Sequence, residues 1–121
     1  MPQAAVKPAR AQRRAPTRQL FDLVAEHFRV MGEPARLELL HALQNGERSA
    51  ASLLAEVRMS QANLSKQMAV LCAAGFVHRR RDGTFVHYRL ADERVLALCE
   101  LMCDHLDADA ARVRALTAAR R

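Results

Sequence analysis

At Gly75 the spacing of apolar residues changes period, and this change limits the folds open to the chain. Before it, large apolar residues recur every three or four positions, which puts one face of an α-helix against a core. After it, Phe76-Val-His-Arg-Arg-Arg81 and Thr84-Phe-Val-His-Tyr-Arg-Leu90 read as two strands flanking Asp82-Gly83. Asp-Gly between two such runs marks a tight hairpin, because the turn needs positive φ. A two-residue Asp82-Gly83 loop sets Arg80 against Phe85, His78 against His87 and Val77 against Tyr88.

Four helical segments precede the hairpin. Residues 17–31 carry Leu20, Phe21, Val24, Phe28 and Met31, with Thr17 as N-cap and Gly32 as the stop. Pro34 opens a second helix with Leu37, Leu40, His41 and Leu43 on its stripe, closed by Asn45-Gly46. Ser49 caps a short third helix bearing Leu53, Leu54 and Val57. Ser60 caps a fourth, with Leu64, Met68, Leu71 and Cys72 on one face and its end at Gly75. Asp92 caps a last helix that runs to residue 107.

The expected fold is mainly α with a small β-hairpin, in the order α-α-α-α-β-β-α. A short helix, a tight turn, a capped helix and a basic two-stranded ribbon make a winged helix-turn-helix. Residues 1–16 are expected to be a flexible basic arm, because they offer almost nothing to bury. Residues 17–108 form the expected DNA-binding and dimerisation domain. Residues 109–121 are expected as a helical extension or a frayed tail.

A chain of 121 residues is one domain by length, and 50% hydrophobic with 26% charged residues is a globular composition. Lysines and arginines number 19 against 13 acids, a net charge of +6, which favours a polyanionic partner. No apolar run reaches the length of a membrane span, and the N-terminus has no apolar stretch of the secretory kind. The expected place is the cytoplasm, with the three cysteines reduced. Aromatic residues make up 4%, too few for stacking on single strands, so duplex DNA is the expected partner. There is no phosphate-binding Gly loop, nucleophile elbow or His/acid cluster, so no enzyme is expected.

The polar side of the fourth helix offers Ser60, Gln61, Asn63, Ser65, Lys66 and Gln67, with Ala62 and Ala69 small enough for close approach to a groove floor. Gln61 suits adenine N6 and N7, Ser65 several base edges, and Lys66 guanine or phosphate. Arg79, Arg80, Arg81 and Thr84 add a basic hairpin that suits phosphate or the minor groove. The plainer alternatives are a solvated helix face and a charged edge that discourages strand pairing. The last helix is apolar nearly all round, from Val95 to Cys103 with only Glu100 between. A second chain is its simplest cover, and a two-fold homodimer would present two recognition helices to successive major grooves.

Ser60-Gln-Ala-Asn-Leu-Ser-Lys-Gln-Met-Ala-Val-Leu-Cys-Ala-Ala-Gly-Phe-Val77 resembles the recognition-helix signature of the ArsR/SmtB family. Arg79-Arg-Arg-Asp-Gly-Thr-Phe-Val-His-Tyr-Arg-Leu90 resembles its wing, and Gly32-Glu-Pro-Ala-Arg-Leu-Glu-Leu-Leu40 its second-helix entry. The likeness spans residues 19–107, with Gln67 standing where the family commonly has His. It implies a homodimeric repressor that binds an operator and lets go when a metal, metalloid or reactive sulfur or oxygen species arrives.

Against the family's effector sites, the third helix reads Ser52-Leu-Leu-Ala-Glu56 with no thiol. The last-helix zinc pattern reads Asp92, Arg94, His105 and Ala108, which keeps two of four ligands. Cys103 resembles the last-helix thiol of redox-switched members, with His41 in place of its second-helix partner. Cys99 and Cys103, four apart on one helical face, remain as effector candidates. Arsenite or Cd²⁺ would suit them as inducer, with Cys72 or a second chain giving a third thiolate. Packing at a dimer seam is the alternative role for both. Cys72 itself is expected to pack in the core, and a metal between His78 and His87 would have too few ligands.

Overall fold

The computed structural model describes residues 15–118, so the arm expected over 1–16 lies outside the described residues but for its last two positions. Helix α1 runs Arg18–Met31, α2 Pro34–Ala42, α3 Ala50–Glu56, α4 Gln61–Ala73, α5 Arg94–Ala108 and α6 Ala110–Ala118. The strands are β1 Arg48–Ser49, β2 Val77–Asp82 and β3 Phe85–Leu90, ordered β1-β3-β2 in one antiparallel sheet. The architecture is a winged helix-turn-helix.

Hydroxyl caps start three of the helices. Thr17, Ser49 and Ser60 each accept from the backbone N–H three residues on, at 3.2, 3.0 and 3.0 Å, which pairs an amide that a helix start leaves open. The core gathers Leu39 and Leu40 of α2 and Leu43 just after it, Leu53 of α3, Leu64, Met68 and Leu71 of α4, and Val77 of β2. Of the expected stripe Leu40 and Leu43 are buried, while Leu37, at 39%, and His41 are exposed; Leu39 and Ala42 complete the buried face.

The hairpin differs from the expected pairing by two residues. Asp82 pairs with Phe85, Arg80 with His87, Arg79 with Tyr88, His78 with Arg89 and Val77 with Leu90. The two-residue loop is Gly83-Thr84 rather than Asp82-Gly83. Gly83 has φ +63°, and among the described residues no non-glycine has positive φ. A turn with positive φ only at its first central residue is type II′, which places glycine first and moves the register. The shift is even, so every side chain stays on the face that its alternation assigns. His78 and His87 are not directly opposite each other.

One element, a two-residue strand, was absent from the expected order. Strand β1 pairs Arg48 with Tyr88 and Ser49 with His87. Its two residues carry no alternation to read. Helix α6 lies within the extension expected over 109–121, whose last three positions are outside the described residues, and follows α5 after a break at Asp109, whose φ and ψ are −96° and 61°. At the start of α5 the N-cap position is Glu93, which makes no side-chain cap. Asp92 does the work from one residue earlier, its carboxylate accepting from the Arg94 backbone N–H at 2.9 Å.

Candidate nucleic-acid interface

Burial of Leu64, Met68 and Leu71 turns the other sides of α4 outward. Gln61, Ala62, Ser65, Lys66 and Ala69 are exposed. Ser60 is exposed too, but its hydroxyl is the helix cap. A cleft of about 180 Å³ separates α4 from the wing, with Gln61, Ser65 and Ala69 on one wall and Arg79, Val86 and Tyr88 on the other. The even register shift puts Arg79 and Arg81 on the sheet face shared with Tyr88 and Val86. Arg79 therefore stands beside the recognition helix, and Arg81 and Thr84 are exposed at the wing tip.

The remaining candidates are engaged within the chain. Arg80 points from the opposite face and holds Glu47 with two hydrogen bonds, at 2.7 and 3.0 Å. The Arg80 hydrogen bond is the main reason that the Glu47 carboxyl sits below the usual carboxylate range, with His87 and Arg89 adding to it. Gln67 and Asn63 are half-buried. The Gln67 carbonyl accepts from Arg36 Nε at 2.9 Å, and its amide donates to Asn63 Oδ1 at 3.2 Å. A second clamp lies behind α3, where Arg48 donates to Ser52 Oγ and to the Ala42 and Ser52 carbonyls and pairs with Glu56. Arg36, Glu47 and Arg48 carry no periodicity, so sequence reasoning missed them. Phe85, 63% exposed beside Thr84, was also passed over, although an apolar residue next to a hairpin turn is a legible signal.

The three cysteines do not form one site. Cys72 is half-buried against the core, and burial pushes its thiol up. Cys99 is half-buried, its thiol donates to the Val95 carbonyl at 3.8 Å, and burial, then the neighbouring Cys103, raises its pKa. Cys103 is exposed. Cys99, Cys103 and His41 line one groove of about 710 Å³ between α2 and α5. Among the described residues, no three His, Cys, Asp or Glu side chains converge to hold a metal ion. Cys72 therefore does not complete a three-thiolate group within the chain. Asp92 is occupied by Arg94, whose guanidinium bonds both carboxylate oxygens, and His105 is exposed near the far end of α5. No helix among the described residues is long and apolar enough to cross a membrane.

Residues 33–79 match the family model described as bacterial regulatory protein, arsR family. A probable mercury resistance operon repressor of Streptomyces lividans is 36% identical over 80 residues, 66% of this chain and 64% of that one. The chain matches less than two thirds of the length of the first curated relatives. Among solved structures, Rv0081 of Mycobacterium tuberculosis superposes with a TM-score of 0.70 at 33% identity, over 78% of this chain and 99% of that one. A homodimeric winged helix-turn-helix DNA-binding domain from Mycobacterium bovis, described as a possible ArsR-family regulator, gives a TM-score of 0.68. It is 30% identical over 81% of this chain and 94% of its own. With the capped recognition helix, the basic wing and these matches together, the chain belongs to the arsR family of bacterial regulatory proteins.

Proposed function

We propose that the chain is a cytoplasmic, homodimeric repressor that binds duplex DNA by sequence and releases it to a thiol-reactive effector. The observation that carries the DNA-binding reading is the outward face of α4, with Gln61, Ser65, Lys66 and two alanines, set across a cleft from Arg79 of the wing, with Arg81 exposed at the wing tip. An α-helix fits the major groove, its small residues allow close approach, and its polar ones match base edges. The wing arginines supply phosphate neutralisation alongside it. Asn63, Gln67 and Ser60 serve the helix rather than the bases. Effectors of the proposed class are soft metals or metalloids such as Cd²⁺ or arsenite, and reactive sulfur or oxygen species, received at Cys99 and Cys103. The relative in Streptomyces lividans, named for mercury resistance, supports that class.

A second reading keeps the DNA-binding role and makes the cysteines structural. It is favoured by Cys99, which packs half-buried against the core and shares its proton with a backbone carbonyl.

One titration series tests both. Affinity is measured for the duplex that the protein enriches from a random library and for random duplex. Lys66→Ala and Arg81→Ala should weaken both and shallow the salt dependence. Gln61→Ala and Ser65→Ala should cost the enriched site alone about 1–3 kcal/mol per base contact. Arg80→Gln should do least, because Glu47 already holds that guanidinium. Equal losses on both duplexes for all of these variants would overturn the assignment. Release by arsenite or Cd²⁺ that persists in the Cys99→Ser, Cys103→Ser double variant would leave the structural reading of the cysteines standing.

A further inference from the structure

One guanidinium ties three helices together. Arg36 of α2 donates through Nη1 to the Val30 carbonyl at 2.8 Å and through Nε to Gln67 Oε1 at 2.9 Å. Val30 lies in the last turn of α1, where carbonyls have no partner within the helix and a cation is favoured. Gln67 passes the connection one turn toward the start of α4 through its amide, which donates to Asn63 Oδ1 at 3.2 Å. All three side chains are half-buried, Gln67 and Asn63 on the flank of α4 that meets Arg36 of α2.

The apolar contacts of α4 are a poor guide to its rotation. Leu64, Met68 and Leu71 are buried, but hydrophobic burial has no direction and tolerates a small roll of the helix. Hydrogen bonds are directional and lose strength when bent. Side-chain tips sit roughly 5 Å from a helix axis, so a roll of about 20° moves them by about 2 Å, enough to break a bond to a base edge. The chain from Val30 through Arg36 and Gln67 to Asn63 is the directional tether on this flank.

We infer that Arg36 and Gln67 are positioning residues for DNA readout: they touch no base, and they set the rotation of α4 that aims Gln61 and Ser65 into the groove. This rests on the DNA-binding reading above. Arginine is required because its planar fork holds two acceptors at once, whereas a lysine at the same place keeps the charge and loses the fork.

The test uses Arg36→Lys, Gln67→Met and the double variant. Affinity is measured for the duplex enriched by the wild-type protein and for random duplex, over a range of salt. Each single change should lower the enriched-to-random ratio about tenfold, and the double should lose no more than the worse single, because both cut one chain. Affinity for random duplex and its salt slope should stay at the wild-type value. A purely structural role would lower the active fraction for both duplexes alike and leave the ratio unmoved. An unchanged ratio in Arg36→Lys, or losses that sum in the double variant, would overturn the inference. A wild-type protein that shows no preference among duplexes would instead overturn the DNA-binding reading itself.

Discussion

Asp92 is read by one neighbour in two ways. The Arg94 guanidinium bonds both its carboxylate oxygens, and the Arg94 backbone N–H bonds one of them. Chiefly through the side-chain bonds, the carboxyl falls from an ordinary 3.8 to about 2. A depressed folded-state pKa means the anion is favoured by folding. Its contribution is therefore full above the unfolded value and is lost as pH falls through the folded one. A carboxyl NMR titration should place the Asp92 midpoint at about 2 and return it toward 3.8 in Arg94→Ala; an ordinary midpoint in the wild-type protein would refute the pairing. At this scale the sequence is readable where partners are near. Thr17, Ser49 and Ser60 cap amides three residues away, and all three stand out as hydroxyls at helix starts. Arg36 and Arg80 find partners 31 and 33 positions away, and no local pattern announces such bonds. That distance is why Gln67 and Arg80 read as free DNA contacts in the sequence and are engaged in the structure.

The wing shows how an element can be legible while its detail is not. Alternation located both strands and assigned their faces, and Asp82-Gly83 located the turn. Which two residues form the loop depends on turn type, and that is set by the φ of the single glycine. Gly83 occupies the first turn position at φ +63°, with no atom within 4 Å of an added Cβ. Gly83→Ala should therefore cost about 1–2 kcal/mol by conformation alone, read as a lower denaturation midpoint at unchanged slope. Unchanged stability would contradict the turn assignment. Strand β1 escaped notice for another reason. Two residues pair with β3 only because α3 and the sheet bring them there, so β1 is made by tertiary contact rather than by its own sequence.

Across the whole molecule, two helices end with uncovered apolar faces. On α1, Phe21 and Phe28 are 58% and 55% exposed; on α5, Leu101 and Met102 are 65% and 60% exposed. Only Met31 of α1 and Val95 of α5 are buried. In the first helix periodicity marks an apolar face without saying which molecule covers it. The apolar circumference of α5 gave the better signal, since one small chain cannot cover every side of a terminal helix. A second copy packed on both faces would space two α4 helices for successive turns of the duplex. Selection of sequences from a random duplex library by the purified protein tests this most directly. The account predicts an inverted repeat with half-sites about 10 base pairs apart, centre to centre, or a multiple of that. Enrichment of a single unrepeated half-site, or of nothing, would contradict it.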